Sequence, residues 1–98
     1  MHISFSEQDP NKVLTDIQAN MEGRKLAKMV SFDLKGEILT ITIKKLGTST
    51  LEFNYKKAGA GLEFDLSKEK IAMSHKAFKG EVTEKIVKII QKSGGTVS

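Results

Sequence analysis

The chain has no cysteine and no tryptophan, and it has one proline and one arginine among its 98 residues. Without cysteine it can form neither a disulfide framework nor a thiolate metal site, and it has no thiol nucleophile. It also lacks a run of about 18 apolar residues, and its first residues lack the basic start and apolar run of a signal peptide. We therefore expect a cytoplasmic protein without a transmembrane segment.

Basic residues outnumber acidic residues by sixteen to twelve, which gives a formal net charge of +4. This charge permits attraction to nucleic acid or to anionic lipid. Arg24 is the single arginine, and arginine supplies the bidentate fork that reads phosphates and guanine edges, whereas lysine is a mobile point charge. The composition therefore disfavours sequence-specific recognition of nucleic acid.

The first quarter of the sequence predicts a strand followed by a helix. Ile3 and Phe5 alternate with serines, which is typical of a short half-buried strand. Asp9 can accept hydrogen bonds from free helix amides, and Pro10 suits the first helical position. Gly23 is a natural helix end. Between them, apolar residues recur at spacings of three and four: Val13, Leu14, Ile17 and Met21.

Beyond residue 29 the apolar period changes to two, which predicts three to five antiparallel strands. The alternation places strands at 30–34, 38–46, 51–55 and 62–66. The segment 67–70 is interpreted as a polar turn. Residues 71–73 are either a short last strand or the end of the preceding one.

A second helix is predicted near the end of the chain. Ser74 can cap it, although Gly80 favours a regular helix that begins only there, after a looser segment. Its apolar stripe consists of Phe78, Val82, Ile86, Ile89 and Ile90. Residues 93–98 are expected to form a flexible tail. The prediction is a single α+β domain over residues 1–98, in the order β-α-β(3–5)-α, with two helices covering an antiparallel meander as a two-layer sandwich.

No combination of residues predicts a catalytic, cofactor or metal site. His2 and His75 have no acidic cluster at metal-ligand spacing and are interpreted as surface or capping residues. Ser67 and Lys70 fit the S-x-x-K spacing of serine acyl-enzymes, but the accompanying motifs are missing. The glycine loop at 59–61 precedes a strand, so no helix N-terminus would meet a phosphate there. We expect a protein that is not an enzyme and has no cofactor.

Seven lysines are the candidate contacts for an anionic partner such as nucleic acid, another anionic polymer, lipid or a granule surface. They flank the central hairpin in two pairs and follow one face of the second helix: Lys44, Lys45, Lys56, Lys57, Lys85, Lys88 and Lys92. The alternative interpretation is a solvated surface in which Glu81 and Glu84 compensate the lysines four residues later. Single-stranded binders usually add exposed aromatic residues, whereas Phe53, Tyr55 and Phe64 share the parity of the core leucines.

The segment 78–81, Phe-Lys-Gly-Glu, resembles the "P-F-K-G" start of the last helix in the polyhydroxyalkanoic acid system family of small bacterial proteins. The likeness continues in Glu84, Ile86, Ile89 and Ile90, and the layout of strands and helices is similar across nearly the whole chain. The chain departs from the family pattern at Ala77, which replaces the proline, and in its preference for lysine over arginine. The resemblance implies a link to storage-polymer granules, and it carries over no catalytic residues to this chain.

The leading hypothesis is a non-enzymatic binding or accessory module, associated with polyhydroxyalkanoate granules through a basic or apolar surface. Two alternatives are a basic module that binds nucleic acid and a small-molecule carrier with a cavity between sheet and helices. A further alternative is a homodimer formed through an exposed strand edge such as 71–74.

Overall fold

The computed structural model describes residues 1–44, 47–59 and 61–98, without the side chains of residues 25, 26 and 77–79. In this part of the chain an antiparallel six-stranded sheet combines with two α-helices, which confirms the predicted α+β class. The elements in order are β1 His2–Phe5, α1 Pro10–Met21, a 3₁₀ helix Lys25–Lys28, β2 Val30–Lys35, β3 Ile38–Lys44, β4 Thr48–Ala58, β5 Gly61–Lys70, a second 3₁₀ helix Met73–Phe78, α2 Lys79–Lys92 and β6 Gly95–Val97.

The strand order across the sheet is β2-β3-β4-β5-β1-β6. Strands β2 to β5 form a meander, and β1 lies between β5 and β6, where Ile3 pairs with Phe64 on one side and Val97 on the other. The two edges are therefore β2 and β6. The prediction of an exposed strand edge at 71–74 is wrong. Ile71 and Ala72 lie beyond the end of β5, and the second 3₁₀ helix begins at Met73.

Helix α1 begins as its sequence predicts. The carboxylate of Asp9 accepts a hydrogen bond from the backbone N–H of Asn11 at 3.0 Å, and Pro10 occupies the first turn. The cap satisfies one of the amides that have no partner inside the helix. The helix ends at Met21, and Gly23 follows with φ +80°, a backbone conformation that glycine adopts readily.

Helix α2 begins at Lys79, one residue before Gly80, and the looser segment in front of it is a 3₁₀ helix. Ile86, Ile89 and Ile90 are buried, as the stripe predicts. The side chain of Phe78, the first residue of the predicted stripe, lies outside the described part.

The predicted flexible tail instead contains β6. The N–H of His2 donates to the carbonyl of Ser98 at 3.0 Å, and the N–H of Ser98 donates back to the carbonyl of His2 at 2.9 Å. A Cβ at Gly95 would lie 2.6 Å from Cγ2 of Ile90 and 2.9 Å from Cζ of Phe5. Only glycine lets the chain approach this closely, so β6 is determined by packing that has no local sequence signal.

The predicted polar turn at 67–70 is also wrong, because β5 continues to Lys70. Strand β4 is 11 residues long and offers pairing partners along its whole length. The ladder is interrupted by a β-bulge opposite Glu52 and Phe53, where Leu66 pairs with Phe53 and Lys68 pairs with Glu52. Ser67 is the extra residue, and its hydroxyl donates to the carbonyl of Glu52 at 3.0 Å.

One hydrophobic cluster contains the buried apolar residues of both helices and five of the strands. Inward residues alternate along the strands, as in β3, where Leu39, Ile41 and Ile43 are buried. None of the described helices is long and apolar enough to cross a membrane.

Candidate functional site

The structure distributes the candidate lysines over separate places. Lys44 ends β3 opposite Thr48, whereas Lys56 and Lys57 lie near the other end of β4. Thr48 and Lys56 are eight positions apart along the extended strand, which corresponds to about 26 Å. Lys45 lies outside the described residues.

The lysines of α2 are partly compensated by acidic neighbours. Nζ of Lys85 lies 3.4 Å from a carboxylate oxygen of Glu81, and Nζ of Lys88 lies 3.5 Å from a carboxylate oxygen of Glu84. Exposed pairs of this kind stabilise a helix weakly and reduce its positive potential. Lys92 is in the last turn, where its charge complements the helix dipole.

The aromatic residues with described side chains are packing residues. Phe5, Phe32, Phe53 and Phe64 are buried, and the half-buried Tyr55 ring lies 5.6 Å from the Phe64 ring. The Tyr55 hydroxyl donates to the carbonyl of Gly36 at 2.7 Å. These rings are therefore not presented on the solvated face of the sheet, where stacked bases would need them.

A histidine and two carboxylates meet on the exposed face of β1 and β5. Nδ1 of His2 lies 2.5 Å from Asp65 Oδ1, and its Nε2 lies 3.4 Å from Glu63 Oε1. The hydrogen bond to Asp65 is the main cause that raises the pKa of His2 above its ordinary 6.5, and the same bond lowers the pKa of Asp65 below 3.8. His2 is thus fixed by its strand, not placed on a mobile terminus.

The His2 group, which consists of His2, Glu63 and Asp65, does not form a metal site. In the described ranges no three histidine, cysteine or acidic side chains have a geometry that could hold a metal ion.

A buried serine and histidine are the polar pair that sequence analysis missed. Ser49 is 1% exposed and His75 is 3% exposed, so the prediction of a surface position for His75 is wrong. The Ser49 hydroxyl lies 2.5 Å from Nδ1 of His75 and accepts a hydrogen bond from the N–H of Ala72 at 2.9 Å. The alternation of β4 could have indicated this pair, because Ser49 lies on the same inward side of the strand as Leu51 and Phe53. A polar side chain on a buried face needs a hydrogen-bond partner.

This pair has the residue types of a nucleophile and its general base, but its buried position indicates a structural role. A substrate carbonyl must reach the serine oxygen, and Ser49 is closed to solvent. Its oxygen is also committed to the N–H of Ala72, at the point where the chain leaves the sheet. The Ser49–His75 pair therefore fixes the second 3₁₀ helix against the start of β4.

An apolar cavity of about 300 Å³ lies between the ends of β3, β4 and β5 and the first turns of α2. Among the described residues its lining is mainly aliphatic and includes an aromatic ring, a hydroxyl group and a carboxylate: Met1, Ile43, Leu51, Phe53, Leu66, Glu69, Ile71, Val82 and Thr83. Leu66, Ile71 and Val82 are only half-buried, so the cavity is open on one side. Sequence periodicity predicted Leu66 and Val82 as inward residues, but it could not show that they border an open space.

Comparisons with protein-family models, with curated proteins and with solved structures found no match for this chain. The resemblance to the polyhydroxyalkanoic acid system family therefore stays a prediction.

Proposed function

We propose that this protein is a non-enzymatic binding module whose site is the cavity beside α2, and that it holds a small, mainly apolar molecule there. The observation that carries the proposal is the aliphatic lining of a cavity of about 300 Å³. Ligand sites in proteins have volumes of roughly 300 to 1,000 Å³ and are lined mostly by apolar side chains with a few polar groups.

The size of the cavity sets the size of its occupant. A cavity of about 150 Å³ lined by aliphatic and aromatic side chains accommodates benzene. The cavity here has about twice that volume, which suits a molecule of roughly eight to twelve carbon atoms.

The proposal includes a two-layer arrangement in which both helices cover the same face of the sheet. The buried residues of α1 and α2 belong to the same cluster as the inward residues of the strands, which supports this arrangement. Ligand sites in proteins are commonly clefts or cavities lined by apolar side chains. Here the layers would separate near Val82 and Thr83, in the first half of α2.

The absence of a catalytic role is also part of the proposal. Its support is the burial of Ser49 and the position of the His2 group, whose three side chains lie on the solvated sheet face and not in the cavity. General acid–base catalysis works on a substrate held within hydrogen-bond distance in a shielded site.

Titration of the ¹⁵N-labelled protein with 1-octanol tests the proposal. We expect saturable amide shifts confined to the cavity residues, including Leu51, Ile71 and Thr83. Failure to observe saturable shifts, or shifts spread evenly over the surface, would contradict it.

A cavity-filling double variant, Val82→Phe with Ile71→Phe, should abolish the octanol shifts while keeping the folded spectrum. The matched control is Thr42→Phe with Thr50→Phe, which adds the same two rings to a cross-strand pair on the outward side of β3 and β4. This control should bind octanol as the unmodified protein does. If the double cavity variant does not fold, Val82→Phe alone should weaken binding at least tenfold.

A further inference from the structure

The outer edge of β2 is open to a further strand. In the described part of the chain β2 has a single neighbour, β3, and the opposite edge of the sheet is the three-residue strand β6. Edge strands are commonly protected from pairing with other chains by being very short, by a bulge, by a proline or by an inward charge. Strand β2 is six residues long and regular, has no proline, and carries its two charges on exposed side chains, Asp33 and Lys35. It therefore has none of these four protections.

The hydrogen bonds between β2 and β3 show which backbone groups of β2 are directed outward. The N–H of Lys44 donates to the carbonyl of Met29 at 2.7 Å, so these two residues form a hydrogen-bonded pair of the ladder. Such pairs recur at every second residue of antiparallel strands. The residues between them direct their N–H and C=O groups to the open edge: Val30, Phe32 and Leu34. Within the described residues, no backbone hydrogen bond outside the ladder reaches these groups.

The sequence of this edge is complementary to a second copy of itself. From Val30 to Leu34 it reads Val-Ser-Phe-Asp-Leu, which alternates apolar and polar residues symmetrically about the phenylalanine. An antiparallel copy centred on Phe32 places Val30 opposite Leu34 of the second copy. It also places Ser31 opposite Asp33. All three outward-directed residues then form hydrogen-bonded pairs, and two bonds for each pair give about six bonds across the edge.

Other registers of the same edge are less favourable. A shift by one residue brings an outward-directed residue opposite one whose backbone groups already bond to β3. A shift by two in one direction places Asp33 opposite its own copy, and like charges directly opposite each other are destabilising. A shift by two in the other direction places Leu34 opposite Lys28, which belongs to a 3₁₀ helix and not to the strand.

We propose that the protein forms a two-fold symmetric homodimer through β2, in which the two sheets join into one continuous antiparallel sheet with Phe32 at the axis. On the inward face, Leu34, which is half-buried in one copy, packs beside Val30 of the second copy. On the outward face, the hydroxyl of Ser31 donates to the carboxylate of Asp33 of the second copy. This inference is independent of the proposed function, because no residue of β2 is among the described lining residues of the cavity.

Pairing of β2 with β6 of another copy is the competing arrangement. His2 and Ser98 exchange two hydrogen bonds, so the residues of β6 that are directed outward are Gly95 and Val97. This edge offers fewer outward-directed residues than β2, and the contact would join copies head to tail into open fibres. The β2 pair is closed, because each copy uses the same edge once.

Sedimentation equilibrium tests the dimer. An edge contact buries a small area, so we expect weak association, with the mean mass rising from 10.8 kDa toward twice that value between about 10 µM and 1 mM. A mass that stays at 10.8 kDa over this range would overturn the proposal. A mass that continues to rise beyond the dimer would indicate the head-to-tail contact and would overturn it as well.

Substitutions at Ser31 test the register, because its side chain is exposed and is placed opposite Asp33 of the second copy. Ser31→Lys should tighten the dimer about two- to fivefold, and Ser31→Asp should weaken it by a similar factor. The matched controls are Thr96→Lys and Thr96→Asp, which change the net charge equally at an exposed position of β6. If both Ser31 variants shift the dissociation constant in the same direction, or no more than the controls do, the proposed register is wrong.

A proline tests the outward backbone group itself. Leu34→Pro removes an N–H that is directed to the open edge and spares the bonds to β3, so it should weaken the dimer at least tenfold. Leu34→Ala also removes the leucine side chain but keeps the N–H, and it should retain more of the association than the proline variant. Equal dissociation constants for the two variants would contradict the pairing. If Leu34→Pro does not give a folded amide spectrum, the variants at Ser31 decide.

Discussion

The two halves of the hydrophobic core differ in how completely they are closed. In the closed half, α1 packs against α2, α2 packs against β6, and β6 pairs with β1; Ile3, Ile17, Ile86 and Ile90 are 1–2% exposed there. In the open half, the first turns of α2 face the ends of β3, β4 and β5 across the cavity. Similar apolar residue types occur in both halves, so hydrophobicity alone does not decide which half is filled.

The closed half is held together by small residues and side-chain hydrogen bonds. Gly61 and Gly95 allow β5 and β6 to approach Phe5 so closely that a Cβ at Gly61 would overlap its carbonyl oxygen. The amide of Asn20, near the end of α1, donates to the hydroxyl of Ser93 after α2 at 2.9 Å. In the open half, the bulge at Ser67 and the 3₁₀ helix before α2 displace the chain from regular pairing. Local irregularity in the backbone therefore accompanies the space that a ligand can use.

The largest expected effect comes from truncating matched aliphatic residues in the two halves. Ile90→Ala should lower the free energy of unfolding by about 2–5 kcal/mol, because it removes a fully buried side chain from a close-packed region. Leu66→Ala should cost only about 1–2 kcal/mol, because Leu66 is half-buried and already borders empty space. Urea denaturation measures both values. Equal losses would show that the two halves are packed alike in solution.

Removing the Ser49 hydroxyl tests the contact that fixes the second 3₁₀ helix in the open half. Ser49→Ala leaves the N–H of Ala72 without this hydrogen bond and removes the hydroxyl partner of the His75 ring, so it should cost about 1–3 kcal/mol. Ser31→Ala, at an exposed position of β2, is the control and should change stability by less than about 0.5 kcal/mol. Thermal unfolding measures both. A loss for Ser49→Ala no greater than that of the control would show that the buried pair does not fix the 3₁₀ helix.

The smallest expected effect concerns the His2 group, on the solvated side of the sheet in the closed half. Asp65→Asn should lower the pKa of His2 toward 6.5, because the hydrogen bond to Asp65 is the main cause of its elevation. Glu63→Gln should lower it less, since Glu63 contributes less than Asp65. NMR titration of the His2 imidazole protons measures both shifts. An unchanged His2 pKa in Asp65→Asn would contradict the hydrogen bond.

The sign of the accompanying pH dependence follows from the directions of the two shifts. The pKa of His2 is raised in the folded state, so its contribution to stability is fully present below pH 6.5 and is lost as pH rises through the raised pKa. The pKa of Asp65 is lowered, so its contribution is present above pH 3.8 and is lost as pH falls through the lowered pKa. The pair therefore stabilises the fold most between pH 3.8 and 6.5, and Asp65→Asn should reduce the loss of stability on either side of this range.

Sequence patterns predicted the fold better than the site. The cap at Asp9, the buried stripe of α2 and the alternation of β3 come from local spacing, and the structure confirms them. The extension of β5 through 67–70 could not be predicted, because polar residues in a strand resemble a turn when the partner strand is unknown. The candidate site depends on that extension, since Glu69 reaches the cavity only through the bulge. The predictions of a cytoplasmic location and of granule association remain untested.

The sequence by itself determined the α+β class, the start of α1 and the inward side of most strands, because hydrophobic periodicity and helix capping act over a few neighbouring residues. Tertiary structure alone decided that β1 pairs with both β5 and β6, that Ser49 meets His75, and that the core stays open beside α2. These features join residues far apart in the chain, and a void is a property of how surfaces fit together. No single side chain encodes that fit, which is why close packing at Gly95 and empty space at Leu66 occur within one core.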